Sequence, residues 1–165
     1  MQRQSFPGFR YFLSINHTIE LDNQILIAPG LAPLDQLEGQ ATGAFGLPRH
    51  STRLEAGIFG QGVGMRFSGR YTGSARLEGA AADGSSDLFF DDLARFDIRL
   101  FGDVGELLGE NEGALKNVRV SLRMDNIFDA RRDVRDANGE VPLSYQPDLI
   151  DPIGRYVGID LRKLF

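Results

Sequence analysis

The sequence predicts an all-β protein, an antiparallel meander of about six long strands, on three observations. Apolar and polar residues alternate with a period of two in six separate stretches. Each stretch runs on the order of ten residues, where the strands of water-soluble domains cluster near five or six. The connections alternate between short and long, and the long ones are rich in Gly, Pro, Asp and Asn. No stretch carries the periodicity of an amphipathic helix.

The first stretch, YFLSINHTIEL, sets Tyr11, Leu13, Ile15, His17, Ile19 and Leu21 against Ser14, Asn16, Thr18 and Glu20. STRLEAGIF opposes Thr52, Leu54, Ala56 and Ile58 to Arg53, Glu55 and Gly57. GQG (Gly60 to Gly62) reads as a tight hairpin turn into VGMRFSGRYTG, where Val63, Met65, Phe67 and Tyr71 face away from Arg66, Ser68, Arg70 and Thr72. ARFDIRLF separates Ala94, Phe96, Ile98 and Leu100 from Arg95, Asp97 and Arg99. NVRVSLRMDN separates Val118, Val120, Leu122 and Met124 from Asn117, Arg119, Ser121, Arg123 and Asp125. RYVGIDLRKLF closes the chain, with Val157, Ile159 and Leu161 on one face, Gly158, Asp160 and Arg162 on the other, and Phe165 last.

Antiparallel parity places the long segments near 22–50, 78–87 and 129–153 at one end of the sheet and the short turns at the other. The segment near 102–114 is longer than a turn-side connection should be. Arg and acid alternate on the polar faces, so charges of both signs are expected to pair across neighbouring strands. Two readings fit. The polar face is the solvated outside of a soluble sandwich, or it is the wet lumen of a barrel whose other face meets lipid. Strands that cross a bilayer need about 9–11 residues, and outer-membrane barrels have short turns at one end and long loops at the other. A sandwich needs a second layer over the apolar face, and no helix is available to supply it.

Bulk properties narrow the function. The 165 residues suffice for one domain, and a net charge of -5 argues against nucleic-acid binding, which favours a basic face. There is no Cys and there are only two His, His17 and His50, so thiolate and histidine-rich metal sites are not expected. No cofactor and no enzymatic reaction is indicated. MQRQSFPGFRYF has no apolar core of a secretory signal, which read literally means a cytoplasmic protein if Met1 is a true start. Ser14 and Asn16 fall on the face opposite His17, a poor arrangement for a catalytic triad. Two acidic loops, Asp83 to Asp92 and Asp133 to Glu140, lack EF-hand spacing and read as solvated loops before they read as calcium sites. GQGVG lacks the following helix that a phosphate loop needs.

The last third, VRVSLRMDNIFDARRDVRD followed by GEVPLSYQPDLIDPIGRYVGIDLRKLF, resembles the C-terminal end of the TonB-dependent receptors of the bacterial outer membrane. Asn126, Ile127, Phe128 and Asp129 match the family's Asn-Leu-Phe-Asp-like element after the penultimate strand. Gly154 and Arg155 match its Gly-Arg before the last strand, and Phe165 its aromatic terminus. Lys163 departs from the apolar residue common three from the end. SINHTIELDNQILIAPG and PRHSTRLEAGIFGQGVGMRFSGRY look like earlier strand–loop–strand units of the same barrel.

The resemblance implies an open, curved segment of a large transmembrane β-barrel and a place in the outer membrane. Its function would be energy-coupled uptake of a scarce nutrient such as a siderophore, vitamin or oligosaccharide. Its partners would be outer-membrane lipid, the barrel-assembly machinery, a small-molecule ligand and, through an N-terminal part not in this chain, the TonB complex. Such receptors have about 22 strands and a plugged lumen. Six strands without plug domain or TonB box imply a C-terminal fragment, which would not transport alone. The other classes in play are a small self-contained porin or structural barrel and a soluble ligand-binding β-protein.

In the family the terminal strand resembles the signal read by the insertion machinery, with Val157, Ile159 and Leu161 leading to Phe165. Deleting Phe165, or Phe165→Ser, in the full-length protein is expected to cut outer-membrane insertion sharply without lowering synthesis. Phe165→Tyr keeps the ring and should be tolerated, as should Arg162→Gln on the opposite face. Quantitative blotting of membrane fractions checks this, and equal levels for all variants would leave Phe165 without a signalling role.

Overall fold

A computed structural model describes residues 8–40, 43–79, 86–109, 113 and 115–164. In chain order the strands are β1 (Arg10–Ile19), β2 (Gln24–Ile25), β3 (Leu34–Asp35), β4 (His50–Gly60), β5 (Val63–Thr72), β6 (Ala75–Leu77), β7 (Leu88–Phe90) and β8 (Leu93–Asp103). A helical turn α1 (Val104–Leu108) precedes β9 (Val118–Asp125) and β10 (Val134–Asp136). A 3-10 turn (Leu143–Tyr145) and α2 (Pro147–Ile150) lead into β11 (Tyr156–Lys163). The protein is all-β, and its six long strands are those marked by the alternation. Among the described residues no helix is long and apolar enough to cross a membrane.

The six long strands form one antiparallel sheet in the order β1-β4-β5-β8-β9-β11, a meander in which each long strand lies beside its successor. β1 and β11 are its edges and do not pair with each other, so the sheet is open. The β4–β5 hairpin turns through Gln61 and Gly62, both at positive φ (51° and 75°). Positive φ at both central residues matches the right-handed twist of the flanking strands. Gly62 carries it without a Cβ penalty.

Cross-strand partners share a face, so the register fixes sidedness. Across the middle of the sheet the pairs run Ile15–Leu54, Ile58–Met65, Phe67–Ile98, Leu100–Leu122 and Leu122–Ile159. Leu13, Phe96, Val120 and Leu161 lie on the same side. Among the described residues no second layer covers this face: Ile159 is 75% exposed, Leu161 73% and Leu13 66%. Phe96 stacks on Phe67 and meets the edge of Phe128, both at ring-centroid distances of about 5.6–5.7 Å. Lys163 sits opposite Val118 at the short-turn end of the apolar face, where a long amine can reach out of an apolar layer toward water.

The polar face meets the expectation of opposite charges pairing across strands only in part: Asp103 stands opposite Arg119, and Asp160 of β11 pairs with Arg99 of β8. Elsewhere arginine stands opposite arginine, Arg53–Arg70–Arg95 in one row and Arg66–Arg99–Arg123 in another. Between these rows lie Glu55, Ser68 and Asp97, also in register. The signs alternate along β4 and β8, while β5 carries Arg66 and Arg70 without an acid. Other ion pairs form where a chain neighbour or a loop reaches over, as in Arg123–Asp125 at 3.1 Å and Arg95–Asp151.

Glycines on this face make room for aromatic rings. Gly57 lies under Phe12 and Gly64 under Phe101, and a Cβ at either position would overlap the ring. Arg66 lies 5.9 Å from the Phe12 centroid and Arg119 5.6 Å from that of Phe101. The long turn-side connection contains α1, with the Asp103 carboxylate accepting from the Glu106 amide and Gly109 closing the turn at φ 71°.

The buried core lies at the long-loop end. There β6, β7 and β10 form a second sheet, in the order β10-β7-β6, that joins the second and third long loops. Phe90 (1% exposed) and Val134 (0%) are its centre, and they are the buried large hydrophobic residues among those described. Tyr145 and Phe45 pack edge-on or tilted against Phe90, and the Tyr145 hydroxyl donates to the Ala44 carbonyl at 2.7 Å. Asp87, 2% exposed, accepts from the Gly79 amide at 2.9 Å and pairs with Arg76. That hydrogen-bonded carboxylate raises the Arg76 guanidinium above its ordinary value. Strands of two or three residues carry no readable alternation, which is why this unit escapes the sequence.

The glycine–ring contacts predict a compensating pair. Gly64→Val should force Phe101 from its seat and destabilise the sheet by about 1–3 kcal/mol, the usual cost of overpacking. Adding Phe101→Ala should recover most of that loss. Denaturant unfolding in micelles or vesicles measures both, and additive losses in the double variant would show that the two positions do not interact.

Candidate functional site

The wet face and the loop base above it form the best-defined polar region. A cavity of about 870 Å³ opens there, with Arg53, Arg70, Arg95 and Arg123 and the carboxylates of Glu55, Asp97, Asp125 and Asp151 in its wall. β4, β5, β8 and β9 supply all of these except Asp151, which comes from the segment just before β11. Every contribution from a strand is a position of the same parity, so the alternation that exposes the apolar residues on one side builds this wall on the other. Opposite charges close together in a half-open hollow attract less than in a dry interior and more than in bulk water. The wall can hold a polar solute by several charged hydrogen bonds, and within it the Ser68 hydroxyl donates to Asp97 Oδ2 at 3.4 Å.

The third long loop is fastened to this wall at its root. Asn126, 5% exposed and at φ 51°, directs its side chain forward onto the chain four residues on. Its Oδ1 accepts from the Ala130 amide at 2.8 Å and its Nδ2 donates to the Ala130 carbonyl at 2.9 Å, as a strand neighbour would. The Asn126 amide donates to Asp97 Oδ1 at 2.8 Å, linking the loop root to β8. Asp129 sits at φ 55°, and its Oδ1 accepts from the Arg155 amide at 2.8 Å. Gly154 is buried at φ 57°, and a Cβ there would lie 2.6 Å from Asp129 Oδ1. The two ends of a loop more than twenty residues long are thus pinned together.

Asn126, Phe128, Asp129, Gly154 and Arg155, widely separated in sequence, therefore meet in space. Four of them hold the loop root, and Phe128 leans over the apolar side onto Phe96. Val157, Ile159 and Leu161 lie on β11 opposite Met124, Leu122 and Val120. Phe165 lies outside the described residues. His17 accepts or donates at 2.7 Å with Thr52 on the apolar side, while Asn16 and Ser14 face the wet side, so these residues do not converge.

Further contacts of the loop went unread in the sequence. Arg95 pairs with Asp151, and Arg131 with Asp148 and Asp129. Burial and the neighbouring Arg95 push the Arg132 guanidinium below its ordinary value, with Asp92 opposing them. In the acidic loop at 133–140, Asp136 Oδ1 accepts from the Asn138 and Glu140 amides and so shapes a turn. Among the described residues no three His, Cys, Asp or Glu side chains are placed to share a metal ion. Residues 83–85 of the other acidic stretch lie outside the described residues. The Asn and Asp preceding a Gly-Arg were the one sequence signal for this root; the ion pairs, made across unrelated segments, left none.

The root predicts a local phenotype. Gly154→Ala places a methyl against Asp129 in a left-handed conformation, and Asn126→Ala leaves the Ala130 groups unpaired. Each should cost about 1–3 kcal/mol, mostly as loosening of the loop. Limited proteolysis should then cut between residues 131 and 153 at rates well above the parent while the strands stay protected. An unchanged cleavage pattern would mean the root does not hold the loop.

Comparison of the chain with protein-family models, with curated proteins and with solved structures finds no match.

Proposed function

We propose that this chain is part of the transmembrane β-barrel of an outer-membrane, TonB-dependent receptor, contributing the staves that resemble the C-terminal end of that family. The whole receptor would take up a scarce nutrient with energy supplied through TonB, and this segment would form one sector of its wall and outer loops. The observation that carries the reading is the uncovered apolar face of the long-stranded sheet. A soluble domain buries such a face under a second layer, and patches beyond a few hundred Å² are rare on free surfaces. Lipid is the environment in which the face needs no cover.

Three further features support it. β1 and β11 each lack a partner on one side, and a bilayer tolerates no unpaired strand edge, so the sheet needs more staves to close. The short Gln61–Gly62 turn and the long loops occupy opposite ends, as in outer-membrane barrels. The opposite face is charged and grooved, as a wet lumen would be. The loop cluster around Phe90 would then stand outside the cell, and the wall of arginines and carboxylates would line the entry.

The reading is tested on the intact protein that contains this chain. It should sediment with outer membranes, resist alkaline extraction and require detergent for solubility. Ile159→Arg or Leu122→Arg should lower its stability in vesicles by about 2–4 kcal/mol, the cost of a charge at mid-bilayer depth on a barrel's outer surface. Arg119→Gln, on the wet side, should cost far less. A monomer soluble without detergent, tolerant of Ile159→Arg, would replace this reading with that of a soluble ligand-binding β-protein.

A further inference from the structure

Across the wet face near the loops, Asn16, Arg53, Arg70 and Arg95 stand in one row on four adjacent strands. The next row toward the loops is Thr18, Ser51 and Thr72. Asp151 pairs with Arg95. Among the described residues, Arg53 and Arg70 have no ion-pair or hydrogen-bond partner. Neighbouring strands lie about 4.8 Å apart, so these two arginines stand side by side in register, and like charges directly opposite each other are destabilising.

A hollow of about 300 Å³ opens over the pair. Asn16, Thr18, Ser51, Arg53, Arg70 and Thr72 line its wet side, and all of them donate hydrogen bonds. No carboxylate lines it. The acids begin one row further on, with Glu55 in the adjoining larger cavity, which shares Arg53 and Arg70. We propose that Arg53 and Arg70 form an anion-binding site for a solute with clustered charged oxygens, a phosphate or a polycarboxylate. Each guanidinium offers a planar fork that fits such oxygens bidentately, the hydroxyls and the Asn16 amide supply further donors, and the anion relieves the repulsion between the two arginines. The larger cavity has room for the rest of the molecule. The proposal deepens the receptor reading by naming a ligand class, and it rests on that reading only in taking this face as the wet one.

Isothermal titration of the intact protein in micelles at low ionic strength tests it, with inorganic phosphate, citrate and, as neutral control, glucose as probes. At least one anion should bind, glucose should not, and added salt should weaken the binding. Arg70→Gln should weaken it about tenfold or more, the loss of one charge-assisted bidentate contact, and Arg53→Gln with Arg70→Gln should abolish it. Arg70→Lys keeps the charge and loses the fork, so an intermediate loss is expected and guards against a misfolded Gln variant. Arg99→Gln, outside the hollow, should leave affinity unchanged. Binding of phosphate alone or of citrate alone identifies the oxygen source. Failure of both anions to bind, or binding that survives the double substitution, overturns the site. A membrane protein without anion affinity would lose this inference and keep the barrel reading, and a soluble protein whose anion affinity depends on Arg70 would do the reverse.

Discussion

The register of the six-stranded ladder is the constraint on which the two faces, the arginine rows and the loop cluster depend. Side chains alternate with a period of two, so a slip of one residue in any strand would turn its apolar set to the wet side. Six strands in mutual register keep Leu13, Leu54, Phe67, Ile98, Leu122 and Ile159 on one side without exception. Nothing within the described chain covers them, so hydrophobic burial inside the sheet contributes little. The backbone hydrogen bonds and the medium against the apolar face must supply most of the stability.

The same register sets the electrostatics of the other face. With arginine opposite arginine in two rows and Glu55, Ser68 and Asp97 between them, Arg53 and Arg95 have an acid two residues on along their own strands, whereas β5, with Arg66 and Arg70, carries none. That arrangement gives up the strongest cross-strand pairing and leaves donors available to whatever enters the groove. Residues of other segments satisfy part of the demand: Asp151 takes Arg95 from the loop, and Asp160 reaches Arg99 from β11. Arg53 and Arg70, nearest the hydroxyl row, have no such neighbour among the described residues.

The loop end solves a different problem. Long connections are entropically costly to order, and here they are ordered by a core of their own. Phe90 and Val134 are enclosed where β6, β7 and β10 meet, and Phe45 and Tyr145 from the other segments close over them. The Asn126–Asp97 and Asp151–Arg95 contacts then tie that unit to the wet face. Wall and loops are therefore one continuous polar surface, and a solute held at the arginine row touches elements anchored in both.

Sequence alone determined the six long strands, their apolar and polar faces and the direction of the alternation, because period two is a local property written into each stretch. The family resemblance of the last third also marked Asn126, Asp129, Gly154 and Arg155, and the first three take the positive φ that Asn, Asp and Gly tolerate best. Tertiary structure decided which rows meet. The expectation of opposite charges across strands held only at places such as Arg99–Asp160, because pairing depends on the offset between two strands, which neither strand encodes by itself. The small sheet of β6, β7 and β10 was equally hidden, its strands being too short for a periodic signal and joined across more than forty residues. Whether Arg53 faces Arg70 or an acid, and whether Asp151 reaches Arg95, are questions of distance between remote segments, and only the folded chain brings those segments together.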